Sequence, residues 1–328
     1  VARPPEFACS SKVTWEDQSM RWFVVFFVLG LSACHSGAIK PVAPAAEENA
    51  HSADLEPVAS AGSENVCRSV IEAPGDVASV IEPVEDLEAI HAALARATGK
   101  RVLLVLDIDD TLLTSATEFG SDSWYDWQFN LPKDSPDRVP CLFDVMGFNF
   151  EVGTQRVTQC DATDVVNGLE VDRIMLTSRG ANYRAGTIRQ LLEAEYVLLP
   201  PIGKPEFGEM WRWTDEQDPK KRTYSLSYDQ GVFMTTGANK GRVLLHLLKR
   251  RGLSYDYVIL VDDGCKNIQN MQKALADEQI AYHGLWYTNI VKGVDQGKAK
   301  QGWSDWLKLI ESVYPKRAKL LRQNKCFN

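Results

Sequence analysis

The chain has 328 residues, an apolar fraction of 45%, a charged fraction of 24% and a net charge of −8. Length and composition are those of an ordinary globular protein with one large or two modest domains. The acidic balance, with no block of Lys or Arg, argues against a nucleic-acid partner, which needs a basic face.

Taken in chain order, the first signal is an address. From Met20 the chain runs MRWFVVFFVLGLSACHSG, one arginine followed by an apolar stretch from Trp22 to Ala33 and a cysteine. Twelve apolar or small residues are too few to span a bilayer as a helix, but they suit the h-region of a signal peptide. The ending Leu31-Ser32-Ala33-Cys34 resembles the lipobox of bacterial lipoproteins, which implies lipidation at Cys34. Residues 20–34 are therefore expected to be a lipoprotein signal. Residues 1–19 are polar, fit no element, and read as translation upstream of the true start. His35 after the cysteine, in place of the Asp that commonly marks inner-membrane retention in such lipoproteins, points to a lipid-anchored protein of the bacterial envelope. The expected site is the outer membrane, facing the periplasm. Residues 35–65 are rich in Ala, Pro, Ser and Glu and cannot bury enough apolar area to offset their ordering entropy, so they read as a disordered tether.

From residue 66 the pattern alternates. EPVEDLEAIHAALARAT (82–98) has Val84, Leu87, Ile90, Ala93 and Leu94 at helical spacing. RVLLVLD (101–107), DRIMLTS (172–178), YDYVILVDD (255–263) and IAYHGLWYT (280–288) are short apolar runs of the kind found in a sheet covered on both faces. NYRAGTIRQLLEAE (182–195) and NIQNMQKALADE (267–278) read as the helices between them. Strands alternating with helices predict an α/β fold with a parallel, Rossmann-like sheet flanked by helices.

Two stretches within the 66–328 domain break the alternation. Residues 114–171 are aromatic and punctuated by proline, ending in a short helix. Residues 200–236 hold alternating Met210, Arg212, Thr214 and Tyr224, Leu226, Tyr228, which predict a β-hairpin. Such long inserts beside a parallel sheet serve as lids or specificity elements, or as peripheral packing.

In an open parallel sheet the carboxyl ends of the strands form the ligand crevice. The first run ends in Asp107 with Asp109 two residues on, the second in Thr177, Ser178 and Arg179, and the third in Asp262 and Asp263. Lys240 opens a helical pattern just before the third run. Carboxylates against an apolar wall are costly unless compensated, so their convergence with a hydroxyl and a lysine on one rim points to chemistry.

The order DIDDT, MLTSR, ANKG and LVDD, each in its strand or helix context, resembles the four motifs of the haloacid dehalogenase (HAD) superfamily of phosphatases over residues 100–290. The surroundings are similar to an uncharacterised bacterial subfamily that pairs this core with aromatic inserts, and to the lipoprotein acid phosphatases of the superfamily. VDDGCKN departs from the usual final motif of the latter. The resemblance implies a Mg2+-dependent phosphomonoesterase acting on a small phosphorylated substrate. It implies Asp107 as nucleophile and Asp109 as general acid and base. Asp262 would hold Mg2+ with the Asp107 carboxylate and the Asp109 carbonyl. Thr177 and Lys240 would bind the phosphoryl group. Thr111 would support the turn, Asp263 would bind through water or orient the ligands, and Asn267 would partner Asp262.

Other residues invite blander readings. Asp110 reads as a solvated turn residue, Ser178 as a helix cap or phosphate contact, and Arg179 as a substrate contact or, by preference, the partner of a surface carboxylate. Trp124, Tyr125, Trp127 and Phe129 either pack the first insert or stack on a substrate ring. No histidine has ligand spacing. Among the cysteines, Cys141 with Cys160 and Cys67 with Cys326 are pairs that could close, leaving Cys265 as an odd thiol, although connectivity does not follow from sequence. A catalytically silent or binding lipoprotein on the same core, and a phosphotransferase or mutase, stay open as alternatives. No protein partner is implied.

Overall fold

The computed structural model of the protein describes Cys67 and residues 78–327. The expected signal segment, Cys34 and the tether lie outside the described residues, and no described helix is long and apolar enough to cross a membrane.

In chain order the elements are β1 (Ser79–Val84), α1 (Ala89–Arg96), β2 (Val102–Leu106), β3 (Leu113–Ser115), α2 (Asp122–Asn130), α3 (Leu142–Val152), β4 (Gln155–Val157), α4 (Ala162–Asn167), β5 (Asp172–Thr177) and α5 (Arg184–Glu193). There follow β6 (Glu209–Thr214), β7 (Thr223–Asp229), β8 (Val232–Met234), α6 (Lys240–Arg251), β9 (Tyr257–Asp262), α7 (Cys265–Asp277), β10 (Ala281–Tyr287), α8 (Gln296–Val313) and α9 (Pro315–Arg322).

Leu103 and Val105 of β2 point into one apolar cluster, with Val258 and Leu260 of β9, while Leu104 and Leu106 join Ile259 and Val261 in another. That is the two-residue alternation of a strand whose faces are both covered. The sheet order is β1-β10-β9-β2-β5-β8-β7-β6. All pairings from β1 to β8 are parallel, and β7 and β6 are antiparallel additions. The fold is α/β, a mostly parallel sheet flanked by helices, as its sequence pattern predicts.

One boundary differs. Val84 lies at the end of β1, opposite Tyr287 of β10, and not on the following helix. Its helical spacing to Leu87 is overridden by a parallel pairing with a strand some two hundred residues away, which no local pattern announces.

The first insert is built between β3 and β4, which pair antiparallel. Its helices α2 and α3 do not stand alone. Phe119, Trp124, Val145 and Phe148 share a third core with Trp306, Ile310, Ala318 and Leu321 of α8 and α9. The rings of Phe148 and Trp306 meet edge to face at 5.9 Å, and Phe119 meets Trp124 at 4.7 Å. Trp124 is buried, and Tyr125, Trp127 and Phe129 pack against the same cluster. These aromatics therefore pack the insert.

Disulfides among the described residues include Cys67–Cys265 and Cys141–Cys326, so neither pairing considered from the sequence forms and Cys265 is not an odd thiol. Cys141–Cys326 links the insert to the end of the chain across a sequence separation of 185. Replacing both cysteines by serine is expected to cost about 2–4 kcal/mol. Hydrogen exchange should show the loss in α2, α3, α8 and α9, with the amides of β2, β5 and β9 keeping their protection. A uniform loss across the sheet would contradict a separately stapled subcore.

The second insert forms the predicted hairpin, with Met210 opposite Ser227 and Arg212 opposite Ser225. It extends the sheet at its edge. Asp215, just after β6, accepts hydrogen bonds from Arg242, from Nε at 2.8 Å and Nη2 at 2.6 Å, and so braces the first turn of α6.

Candidate active site

Asp107 follows β2, and its amide donates to the Val261 carbonyl at 2.9 Å, carrying the β2–β9 ladder one residue further. That single bond places Asp107 beside Asp262, the last residue of β9. The chain then turns sharply. The amides of Thr111, Leu112 and Leu113 all donate to the Ile108 carbonyl, and Asp110 takes a left-handed conformation (φ 54°), tolerable for aspartate. Thr111 supports this turn from the far side, its Oγ1 accepting from the amide of Asp263 at 3.1 Å.

Lys240 is the first residue of α6, capped by the Asn239 side chain, which accepts from the Arg242 amide at 3.1 Å. Gly241 lets this helix approach α7 closely, since a Cβ there would lie 2.4 Å from the Asn270 carbonyl oxygen. The fully buried Lys240 ammonium consequently donates to Asp107 Oδ1 at 2.5 Å and to Asp262 Oδ2 at 2.7 Å. The other oxygen of Asp262 accepts from the Gly264 amide at 2.8 Å and from Asn267 Nδ2 at 3.0 Å. Asn267 is therefore the partner of Asp262 that its spacing suggests.

Thr177 ends β5, fully buried, with Oγ1 donating to Asp109 Oδ2 at 3.4 Å and accepting from the Arg179 amide at 3.1 Å. Ser178 is exposed. The structure thus brings together Asp107, Asp109, Thr111, Thr177, Lys240, Asp262, Asp263 and Asn267, and leaves only Cys34 outside the described residues.

Three side chains have other roles than their sequence context suggests. Arg179 pairs with no surface carboxylate. It is buried, grips Asp109 with Nε at 3.0 Å from Oδ2 and Nη2 at 2.7 Å from Oδ1, and donates through Nη1 to Thr187 and Gln190. Its guanidinium also lies 4.0 Å from the Phe150 ring centre, so the insert touches it directly. Asp110 is not solvated. It is buried, accepts from Thr114 Oγ1 at 2.7 Å, and pairs with Lys292. Lys292, in the segment between β10 and α8, also meets Asp263 at 2.6 Å and Asp122 at 3.1 Å. It stands alone in a polar stretch, TNIVKGVDQ, with no periodicity to single it out.

The charges do not balance. Asp107, Asp109, Asp110, Asp122, Asp262 and Asp263 converge on only Arg179, Lys240 and Lys292 among the described contacts. Burial and the neighbouring Asp262 push the Asp107 carboxyl well up, against the pull of Lys240. Burial pushes Asp263 up to about 6, against the pull of Lys292. Burial acts the same way on Asp109, but the charge and hydrogen bonds of Arg179 outweigh it and hold that carboxyl below the ordinary range. Lys240 is raised: burial disfavours its charge, and Asp107 and Asp262 more than restore it. Asp107, Asp262 and Asp263 each offer an oxygen within 4.8 Å of the others. An all-oxygen donor set with excess negative charge fits a hard divalent cation such as Mg2+.

Comparison with known proteins gives the following. A family described as "Protein of unknown function (DUF2608)" matches residues 83–325. No curated protein matches the chain. Among solved structures, the chain is similar to the class C acid phosphatase from Bacillus anthracis at 14% identity and a TM-score of 0.34, covering 74% of this chain and 87% of that one. The same enzyme with tungstate bound gives 18% identity and a TM-score of 0.28, covering 66% and 84%. The HAD domain of effector protein Lem4 from Legionella pneumophila, an inactive mutant, gives 13% and 0.30, covering 65% and 93%.

Proposed function

The chain belongs to the DUF2608 family, and we propose that it is a Mg2+-dependent phosphomonoester hydrolase of HAD type, acting through an aspartyl-phosphate. The observation that carries this reading is the buried Lys240 ammonium shared between Asp107 and Asp262, with Asp109 and Thr177 opposite on the same rim. A purely structural ion pair has no need of a further carboxylate and a buried hydroxyl beside it.

Asp107 attacks phosphorus, forming the acyl phosphate as the bond to the ester oxygen breaks. Asp109 gives the departing alkoxide its proton, then takes one from the water that cleaves the acyl phosphate, releasing phosphate and restoring Asp107. Thr177 donates to a phosphoryl oxygen, and Lys240 holds the nucleophile and offsets charge. Asp107 and Asp262 with the Asp109 backbone carbonyl, and Asp263 beside them, would hold Mg2+, which would supply charge stabilisation for the transferring group and lower the Asp107 carboxyl. Burial and Asp262 hold Asp107 high while Arg179 holds Asp109 low, the reverse of the order that a nucleophile and a general acid need. A phosphate ester competing for Arg179 loosens its grip on Asp109 and lets that carboxyl rise toward the acid form.

The export reading is part of the proposal: a lipoprotein anchored through Cys34, on the periplasmic face of the outer membrane. The disulfides Cys67–Cys265 and Cys141–Cys326 support it, because such bridges persist in oxidising compartments. The test is phosphate release from a generic aryl phosphate by the full chain. Turnover with Mg2+ that disappears in chelator is expected. No release from a panel of phosphate esters, in a folded chain that binds the metal, would make the core a binding scaffold.

A further inference from the structure

We propose that Lys292 is a positioning residue that takes the place of a second divalent cation, keeping the centre mononuclear and seating the insert on it. The proposal rests on the reading above only for the presence of one cation at Asp107, Asp262 and Asp263.

Three carboxylates from three separate parts of the chain meet at Lys292. Asp110 belongs to the turn after Asp109, Asp263 follows Asp262 in the loop leading to α7, and Asp122 is the first residue of α2. Their oxygens lie within 4.8 Å of one another, the same limit met by Asp107, Asp262 and Asp263. The two sets share Asp263. Two adjacent oxygen clusters with a common carboxylate are the arrangement that holds paired metal ions. Here the second cluster is filled from within: the Lys292 ammonium bonds Asp110, lies 2.6 Å from Asp263 Oδ2 and 3.1 Å from Asp122 Oδ2. Lys240 and Arg179 are engaged elsewhere, with Asp107, Asp262 and Asp109.

The segment around Lys292 is itself pinned to the insert. The Gly293 amide donates to Ser123 Oγ at 3.1 Å, and the Asp295 amide donates to Glu118 Oε2 at 3.1 Å. The ammonium thus arrives on a strap that already lies across the start of α2. It offsets part of the mutual repulsion of the buried Asp110, the largely buried Asp263 and the more exposed Asp122, and in doing so it fastens α2 to the loop bearing Asp262 and Asp263. A lysine in this position serves as a cation that cannot dissociate or be chelated.

The experiment is titration of the full chain with Mn2+, read by the EPR signal of the free ion, with folding checked by thermal melting. Wild type should bind one ion tightly. Lys292→Ala should bind two, with the exchange-coupled spectrum of a neighbouring pair, and Lys292→Met does the same if the alanine variant fails to fold. Lys292→Arg should return to one, and the exposed Lys298→Ala should stay at one. In the phosphatase assay Lys292→Ala should raise KM at least five-fold, with Lys292→Arg restoring it. Two ions in wild type, or one or none in folded Lys292→Ala and Lys292→Met, overturn the proposal. A wild type that binds one ion and gains a second in Lys292→Ala, yet releases no phosphate, upholds it and sinks the phosphatase reading alone.

Discussion

Asp107→Asn is expected to lower phosphate release by about 10^4-fold or more, while leaving the protein as stable as wild type or more so. Loss of the attacking carboxylate removes the covalent route, and knock-outs of nucleophiles that act as part of a unit cost on this scale. The stability half follows from the crowding. Asp107 is buried beside Asp262, Asp263 and Asp109, and its carboxyl is pushed well up because ionising it there is unfavourable. An amide of the same shape keeps an acceptor for Lys240, which retains Asp262 at 2.7 Å. One repelling charge is gone and no buried cation is stranded. Melting curves in chelator and phosphate-release rates in Mg2+ test the two halves. Turnover that survives the substitution would falsify the aspartyl-phosphate route, and a large drop in Tm would mean that Asp107 holds the fold together.

Lys240→Met is the converse case. It strands Asp107 and Asp262, both buried, with no cation between them. Removing one partner of a buried pair costs about 3–5 kcal/mol, which for a domain of this size is a fall in Tm of roughly 6–20 °C. Turnover should vanish as well. The pH dependence has a definite sign in the absence of metal. A carboxyl whose folded pKa lies above its unfolded value costs stability when ionised, and that cost disappears as pH falls through the folded pKa. Asp107 is already raised with Lys240 in place, and without it the shift grows. Melting in chelator should therefore improve as pH is lowered from about 7 to about 5, whereas wild type should gain less. Saturating Mg2+ at neutral pH should recover part of the loss, because a cation that binds only the folded chain stabilises it by mass action. A variant with wild-type Tm at neutral pH in chelator would mean that the two carboxylates are not buried as described.

Most of this centre is legible in the sequence, and the reason is topological. β2, β5 and β9 are covered on both faces, so their sequences are unbroken apolar runs, and a parallel sheet brings the ends of all such runs to one rim. Asp107, Thr177 and Asp262 could be placed together on that ground alone. Lys240 came with them because it opens a strongly patterned helix. What escaped shares another property, dependence on contacts far apart in the chain. Arg179 sits beside Thr177 in sequence, yet its role is decided by Asp109, seventy residues earlier. Lys292 has no local pattern, and its meaning lies in Asp110, Asp122 and Asp263. Cys67–Cys265 and Cys141–Cys326 have separations of 198 and 185. The helices α8 and α9 did carry a signal, since Ala299, Trp306 and Ile310 fall on one helical face, but nothing local says that this face completes an insert begun near residue 119.

That last arrangement has a consequence for how the molecule comes into being. A chain made from its N-terminus outward exposes Trp124, Val145 and Phe148 long before Trp306, Ile310 and Leu321 exist to cover them. At ordinary synthesis rates of about 5–20 residues per second, the wait of more than a hundred residues lasts many seconds. Throughout it the nascent insert presents a sticky aromatic face, a target for holding chaperones, and α2 has not yet met the strap carrying Lys292. Assembly is thus ordered by the direction in which the chain emerges, and the Asp107–Asp262 rim meets the strap carrying Lys292 only when the final helices are available.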